Sequence, residues 1–203
     1  MLKLCKIAIT GGVASGKSLV CQFLKEYGAY VVNADKIVHQ LLSPSTVIGR
    51  QVIDLLGPSI VDGDRIDRVK VGTIVFSDKH KLIALEQILH PAVVKEIETL
   101  YKQAQHQIPL PTLFVAEVPL LFEADLAPFF DAVVTVVADE KLCKTRFKKA
   151  GFPSSEYDLR MSRQFSVHEK KIRANFIIYN EGTVEELKQE VQQFYKNYIK
   201  YTK

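Results

Sequence analysis

The sequence predicts an α/β fold, a doubly wound parallel sheet of five strands, because short apolar segments alternate with helical stretches. The apolar segments are rich in β-branched and aromatic residues and occupy residues 6–10, 30–33, 113–118, 132–138 and 176–179. They lack polar alternation, which is typical of strands covered on both faces, and the helical stretches between them imply parallel crossovers. Of the 203 residues, 47% are hydrophobic and 25% charged, which suits one domain over residues 1–203 with a single main core.

The first apolar segment leads directly into a glycine-rich loop and then into a helical pattern. The loop matches GxxxxGKS in full and consists of Gly11, Gly12, Val13, Ala14, Ser15, Gly16, Lys17 and Ser18. Glycines let the backbone curl so that N–H groups face phosphate oxygens, and the following helix adds the positive end of its dipole. Lys17 would bridge the β- and γ-phosphates, and the Ser18 hydroxyl would bind Mg²⁺. The motif therefore predicts a P-loop that binds MgATP.

Helical spacing predicts the elements outside the sheet. Apolar residues recur at helical intervals over about 35–107, a stretch too long for a simple crossover, which predicts a helical insertion of several helices. Within it, Pro91 is expected in a first helical turn, where its missing N–H is not needed. Near the C-terminus, Thr183 and Glu186 have the spacing of a capping box. They predict the start of a final helix.

Positive charge is concentrated between the fourth and fifth strand segments. Residues 141–173 contain ten Lys or Arg against three acids, whereas the whole chain has a net charge of only +4. This basic segment is a solvated helix face, a nucleic-acid patch or a lid over polyphosphate, and a mobile lid is expected in the polar, helix-prone stretch of about 151–175. Composition alone does not choose among the three.

Two features bear on the compartment. No apolar run approaches the ~20 residues that a membrane span needs, and the start MLKLCKIAIT lacks the features of a secretory signal. We therefore expect a cytoplasmic protein without a membrane partner. The three cysteines, Cys5, Cys21 and Cys143, are odd in number and widely spaced, which predicts free thiols rather than a disulfide framework or a CxxC pair.

A P-loop indicates nucleotide binding but not the task that follows from it. A regulatory GTPase should carry an NKxD sequence, and none is present. The DxxG pattern at 54–57 falls on an amphipathic helical stretch, so a helix end is the favoured interpretation. A motor or large ATPase would need a longer chain. These exclusions favour a kinase that acts on a small molecule.

Markers spread over nearly the whole chain resemble those of the dephospho-CoA kinase family. They are residues 9–18, Ala34-Asp35, Leu89-His90-Pro91, 118–123, 160–164 with Lys170, and Asn180 before Gly182. Members of that family use ATP to phosphorylate the ribose 3′-hydroxyl of dephospho-CoA, the last step of coenzyme A synthesis. The resemblance implies this activity, the P-loop kinase fold, and ATP with Mg²⁺. For partners we expect the small-molecule acceptor and no nucleic acid, and for assembly a monomer or small homo-oligomer.

The resemblance also implies a catalytic base. Asp35 follows the second strand in a segment similar to the family's DAD motif, where a carboxylate can accept the proton of the attacking 3′-hydroxyl. An N-cap for the following helix is the structural alternative and is compatible with catalysis. Around Asp35 two residues depart from the family pattern: Asn33 replaces the first aspartate of the motif, and His39 stands where the family usually has arginine.

Further residues are expected around the metal and the acceptor. Glu117 ends a strand segment as a Walker B carboxylate would, and there it would hold Mg²⁺ through water or orient Ser18. Pro119 and Leu120 are core residues or walls of the acceptor site. By resemblance His90 belongs to the acceptor-binding insertion, and a helix-start cap before Pro91 is the alternative.

The basic segment gains an interpretation from the resemblance: a lid at about 151–175 whose arginines neutralise the transferring phosphoryl group. Arg160 occupies the family's arginine position and is expected to be catalytic with Lys17. Arg146 is expected to stack on adenine, and Asn180 borders the adenine site or simply forms a turn. The nucleotide site is expected to include Leu19, the residue after the loop.

Two other functions stay open at this point. A nucleoside or nucleotide monophosphate kinase shares the loop, the lid and a helical acceptor region. A nucleic-acid-binding ATPase would exploit the same basic segment, but the aromatic residues in 141–173 have no regular spacing, which argues against it.

Overall fold

The computed structural model describes residues 4–202, and these form the predicted α/β fold. In chain order the strands are β1 (Lys6–Gly11), β2 (Tyr30–Asn33), β3 (Val61–Asp62), β4 (Arg65–Ile66), β5 (Phe114–Glu117), β6 (Ala132–Val137) and β7 (Phe176–Tyr179). The helices are α1 (Lys17–Glu26), α2 (Ala34–Leu41), α3 (Val47–Leu56), α4 (Arg68–Ser77), α5 (Lys79–Ala104), α6 (Glu140–Lys149), α7 (Ser154–Met161), α8 (Val167–Arg173) and α9 (Val184–Thr202).

The main sheet has five parallel strands in the order β2-β5-β1-β6-β7. All five predicted strand segments are confirmed, with ends that differ by no more than one residue. β1 and β6 are buried along their whole length, as expected for strands covered on both faces. Because parallel strands end at the same edge of a sheet, the P-loop after β1 lies beside the ends of β5 and β6.

The sheet carries its own hydrophobic core. Ile7 and Ile9 of β1 are fully buried in one cluster with Leu24 of α1 and Val191 of α9. The final helix α9 begins where the capping box predicted: the Thr183 N–H donates to the Glu186 carboxylate, and the Glu186 N–H donates to the Thr183 hydroxyl. α9 therefore supplies one wall of the sheet's core.

Residues 34–99 form one compact unit, and the described residues 4–33 and 100–202 form another. The unit of residues 34–99 has a hydrophobic cluster of its own around Val52, Ile60 and Leu85. The predicted helices of the insertion are present, and the DxxG pattern does fall at a helix end, since Gly57 follows α3 as its C-cap. The short antiparallel hairpin β3–β4 was not predicted, because each strand has only two residues and shows no periodicity.

The expectation that Pro91 begins a helix is wrong. Pro91 lies inside α5, a single helix of 26 residues. A proline in a helix removes one hydrogen bond, but packing on both sides of it offsets that loss. Leu85 before the proline and Val93 and Ile97 after it are all buried, so one apolar stripe continues across it. For the same reason His90 is not a helix-start cap.

The expectation that the cysteines are free thiols is met. Cys5, Cys21 and Cys143 are free thiols, and the last two are buried. Burial raises the pKa of both buried thiols, so they remain protonated and poor nucleophiles at neutral pH. Among residues 4–202, no helix is both long and apolar enough to cross a membrane.

Candidate active site

The P-loop conformation depends on glycine at two positions. Gly11 has φ 146° and Gly16 has φ 102°, a region that side chains rarely adopt. A Cβ atom on Gly11 would overlap the Val136 carbonyl oxygen, and one on Gly16 would overlap the Asn180 side-chain amide. These two glycines therefore allow the loop to pack against β6 and the end of β7 before it enters α1.

Lys17 lies at the start of α1 with 9% of its surface exposed. Its Nζ donates to the carbonyl oxygens of Gly11 at 3.2 Å and Gly12 at 2.8 Å. The ammonium group thus lies beside the loop, at the helix N-terminus that attracts anions.

A buried hydroxyl supports the fit of a phosphate group to this loop. Ser15 is 2% exposed, and its Oγ has no hydrogen-bond partner within residues 4–202. Ser15 lines a cavity of about 380 Å³ together with Gly12 and Val13. Because an unpaired buried hydroxyl is costly, a phosphate oxygen is a suitable partner for it.

Three polar side chains meet where β1, β2 and β5 end. Ser18 Oγ donates to Glu117 Oε1 at 2.7 Å, and Asn33 Nδ2 donates to Glu117 Oε2 at 2.7 Å. The strand registers produce this meeting, since Asn33 pairs directly with Glu117 between β2 and β5. Hydroxyl and carboxylate oxygens are the ligands that Mg²⁺ prefers. Within residues 4–202 no group of three His, Cys, Asp or Glu side chains is placed so that it could hold a metal ion.

Asn180 and Arg146, both expected at the adenine, are hydrogen-bonded to each other, and Asn180 is also hydrogen-bonded to the P-loop. Asn180 is 6% exposed; its Nδ2 donates to the Ser15 carbonyl oxygen at 2.8 Å. Arg146 donates to the Asn180 backbone carbonyl at 3.1 Å and to Oδ1 at 3.3 Å. The Asn180 side chain therefore stabilises the P-loop. Adenine binding by these two residues stays a prediction.

Replacing Asn180 with alanine is expected to lower the free energy of unfolding by about 1–3 kcal/mol, because the Ser15 carbonyl loses its buried donor. Urea denaturation followed by circular dichroism measures the change. Asn197→Ala, an exposed position on α9, is the matched control and should change stability by no more than about 0.5 kcal/mol. Equal stability of the two variants would contradict a structural role for Asn180.

Arg160 does not contact the P-loop in this structure. It lies on α7, where its Nη2 is 2.6 Å from Glu156 Oε1 and its guanidinium is 4.9 Å from the centre of the Phe152 ring. The Arg160 side chain is 44% exposed, and an exposed ion pair contributes only about 0–1 kcal/mol. Release of Arg160 toward a nucleotide would therefore cost little, and its catalytic role stays a prediction.

Two residues expected at the acceptor site follow β5, and their surroundings differ. The Pro119 carbonyl oxygen accepts hydrogen bonds from Thr10 Oγ1 at 3.2 Å and Lys170 Nζ at 2.9 Å. The Leu120 side chain is 45% exposed, unlike its neighbour Leu121, which is fully buried. Leu120 is thus available to a ligand, whereas Pro119 has a clear structural role.

The remaining expected residues belong to the compact unit of residues 34–99. α2 begins at Ala34, so Asp35 is the second helical residue and not the N-cap, which corrects the structural alternative given above. A carboxylate in a first turn is stabilised by the helix dipole, and Asp35 is exposed. His39 is exposed in the last turn of α2, and His90 is half-buried within α5.

Comparison with known proteins identifies the family. A family model for dephospho-CoA kinase matches residues 5–186. The chain belongs to the dephospho-CoA kinase family. A dephospho-CoA kinase of Protochlamydia amoebophila is 48% identical over 197 residues, which cover 97% of each chain. The crystal structure of TT1252 from Thermus thermophilus is 28% identical, with a TM-score of 0.80 over 96% of this chain and 97% of that one. The dephospho-CoA kinase from Campylobacter jejuni shares the fold, with 23% identity and a TM-score of 0.71 over 98% of each chain.

One departure from the pattern expected for the dephospho-CoA kinase family now has a physical account. An aspartate at position 33 would place a second carboxylate against Glu117, whereas the amide of Asn33 donates a hydrogen bond to it. For His39 the structure offers no comparable explanation. Sequence reasoning missed Glu123, Gln164 and Lys170 as contacts of the site's framework, although all three lie within the family markers.

Proposed function

We propose that this chain transfers the γ-phosphoryl group of ATP to the ribose 3′-hydroxyl of dephospho-CoA and releases coenzyme A and ADP. The family match over residues 5–186 carries the proposal, and the complete P-loop supports it. The chain is a phosphotransferase of the kinase type. A nucleoside or nucleotide monophosphate kinase is not favoured, because the relatives that cover nearly the whole chain are dephospho-CoA kinases.

The nucleotide end of the reaction uses residues of the P-loop. Lys17 and the N-terminus of α1 would neutralise the β- and γ-phosphates, and the Ser15 hydroxyl would bond one phosphate oxygen. Ser18 would hold Mg²⁺, with Glu117 orienting the serine hydroxyl through the 2.7 Å bond. When bound, Mg²⁺ supplies charge neutralisation between the β- and γ-phosphates.

The acceptor end uses Asp35 as the base that orients and deprotonates the 3′-hydroxyl. His90, Pro119 and Leu120 are proposed to contact dephospho-CoA. The basic segment 151–175 is proposed to act as a lid over the nucleotide that excludes water, with Arg160 stabilising the charge of the transferring phosphoryl group. We place the reaction in the cytoplasm and expect a monomer or a small homo-oligomer.

Product analysis of one reaction tests the proposal. Purified chain with ATP, Mg²⁺ and dephospho-CoA should yield coenzyme A that carries a new phosphate on the 3′-oxygen, identified by mass spectrometry and ³¹P NMR. AMP, TMP and nucleosides should be phosphorylated at least ~10²-fold more slowly, because a site built for one acceptor leaves polar groups unpaired with another. Faster phosphorylation of AMP or a nucleoside would overturn the assignment. Hydrolysis of ATP stimulated by nucleic acid, with steep salt dependence, would favour the nucleic-acid-binding ATPase instead.

A further inference from the structure

Lys170, on α8, is a lysine without any exposed surface. Its Nζ lies 3.0 Å from Glu123 Oε1 and donates to the Pro119 carbonyl oxygen at 2.9 Å and to Gln164 Oε1 at 3.2 Å. The three donors of the ammonium group thus have three acceptors. Burial lowers the pKa of Lys170, and the pair with Glu123 opposes that shift. Lys170 and Glu123 are called the anchor pair below.

Apart from Lys170, the Glu123 carboxylate has few hydrogen-bond partners. Its Oε1 also accepts the backbone N–H of Phe165 at 2.7 Å, whereas its Oε2 is buried without a hydrogen-bond partner in the described part of the chain. A buried carboxylate with one unsatisfied oxygen depends strongly on its cation. The anchor pair therefore joins two segments that are far apart in sequence: the turn after β5 and the residues that lead into α8.

The anchor pair is connected to the base of the P-loop. The Pro119 carbonyl that Lys170 bonds also accepts from Thr10, the residue before Gly11, at 3.2 Å. On its other side, Thr135 Oγ1 of β6 donates to the Lys170 backbone carbonyl at 3.3 Å. Lys170 thus has hydrogen bonds to β6 and to the turn after β5, and through Pro119 it reaches the end of β1.

The start of α8 forms a wall of the cavity beside the P-loop. Ser166 and Val167 line that cavity with Gly12, and a Cβ atom on Gly12 would lie 3.7 Å from Val167. A capping box between Ser166 and Glu169 fixes the first turn of α8. The position of α8 therefore sets one side of the space next to the phosphate-binding loop, which Tyr157 and Met161 of α7 also line.

α7 is attached in a different way, although it lies in the same basic segment. Its inward residues are Tyr157, which packs against Cys143 and Phe147 of α6 in a small apolar cluster, and Met161, which lies 3.7 Å from a Cβ atom built on Gly12. Asp158 of α7 also forms an ion pair with Lys144 of α6 at 3.1 Å, and the two side chains are 66% and 41% exposed, respectively. Gly151, before α7, has φ 90° and nothing within 4 Å of a Cβ atom built there. Exposed pairs and a small cluster resist movement less than a buried ion pair does.

We propose that Lys170 and Glu123 are positioning residues that fix α8 and the Pro119 carbonyl at the base of the P-loop, so that in the basic segment only residues before Gln164 move when nucleotide binds. The proposal rests on the proposed function in one respect, the role of the basic segment as a lid. It shortens the mobile part of that lid from 151–175 to about 151–163.

Hydrogen exchange on the unmodified chain tests the proposed boundary. Amides are compared without ligand and with Mg²⁺ and the non-hydrolysable ATP analogue adenylyl imidodiphosphate, with and without dephospho-CoA. Residues 154–163 should gain protection by about tenfold or more, and residues 167–173 should be protected in all states with a change below about twofold. Equal gains in the two ranges, or no protection of 167–173 without ligand, would overturn the proposal. The exchange experiment needs no turnover, so its result does not depend on which acceptor the chain phosphorylates.

Variants of the anchor pair test positioning separately from stability. Lys170→Met alone leaves Glu123 buried without its cation and is expected to lower the melting temperature strongly. The double variant Lys170→Met with Glu123→Gln removes both charges and keeps an acceptor for the Phe165 N–H, so it should fold with a melting temperature near that of the unmodified chain. Its methionine donates nothing to Pro119 or Gln164.

In the double variant, amide protection at 167–173 and kcat should therefore each fall about tenfold. Its melting temperature should stay near that of the unmodified chain. Lys171→Met is the matched control on the same helix, where the ammonium lies 5.3 Å from the centre of the Tyr179 ring, and it should retain protection and kcat within about twofold. If amide protection and kcat in the double variant equalled those of the unmodified chain, the two residues of the anchor pair would only compensate each other's charge. That result would overturn the positioning role. If the chain proves to phosphorylate another acceptor, kcat is measured with that acceptor and the exchange result stands unchanged.

Discussion

Lys17→Ala is expected to lower turnover by about 10²- to 10³-fold while the chain stays folded. The lysine would neutralise charge on the β- and γ-phosphates, and loss of one positioned donor to a developing charge typically has an effect of this size. In the structure its Nζ donates to the loop carbonyls of Gly11 and Gly12, so alanine removes these two hydrogen bonds together with the charge. Steady-state kinetics with ATP and dephospho-CoA measures the change, and a thermal melt checks the fold.

Lys25→Ala is the matched control for this variant. Lys25 lies in the last turn of the same helix, α1, and is exposed. It carries the same charge but cannot reach the loop, so its loss should change turnover by no more than about twofold. Turnover of Lys17→Ala close to that of the control would remove Lys17 from the proposed mechanism.

Asp35→Asn should reduce turnover by about 10²-fold or more, because the amide lacks the basicity that accepts the 3′-hydroxyl proton. Affinity for ATP should change little, since the proposed role concerns the acceptor. Asp35 lies in the first turn of α2, where loss of the negative charge costs about 0.3–1 kcal/mol of helix stabilisation. Turnover, ATP affinity from calorimetry and the melting temperature are measured on the same preparation.

Asp67→Asn separates catalysis from helix stabilisation. Asp67 caps α4 in the same compact unit, and its Oδ1 accepts from the N–H groups of Val69 at 2.8 Å and Lys70 at 3.2 Å. Asparagine caps a helix as well as aspartate does, so this control should keep both stability and turnover. If Asp35→Asn behaved like the control, the base would have to be sought among other residues of the unit.

The sheet was predictable from the sequence because its signal is local and repeated. Each strand of the main sheet is a short, largely apolar run rich in β-branched and aromatic residues, and β1, β5 and β6 are buried along their whole length. The hairpin β3–β4 gave no signal, since two-residue strands are too short for any period. The prediction that Pro91 begins a helix was wrong because it applied a local rule about proline without considering the apolar residues on both sides of it. The apolar stripe from Leu85 to Ile97 keeps its helical spacing through the proline, and that spacing is the better predictor.

The P-loop was predictable for a similar reason: its eight residues are contiguous, and the backbone that they form is what binds phosphate. The bond from Ser18 to Glu117 was anticipated in part, because both follow or end a strand. The contacts of Asn180 and Lys170 were not predictable from the sequence. Asn180 reaches Ser15 across 165 positions and Lys170 reaches Glu123 across 47, so only the folded sheet brings them together.

The direction of the hydrogen bond between Ser18 and Glu117 has a consequence for how a divalent cation can enter. A serine hydroxyl has one proton and two lone pairs, and here the proton is engaged by the Glu117 carboxylate. Both lone pairs are therefore left for an electrophile before any nucleotide arrives. Ser18 would therefore hold the ion through a lone pair of its oxygen, while Glu117 keeps the hydroxyl proton engaged.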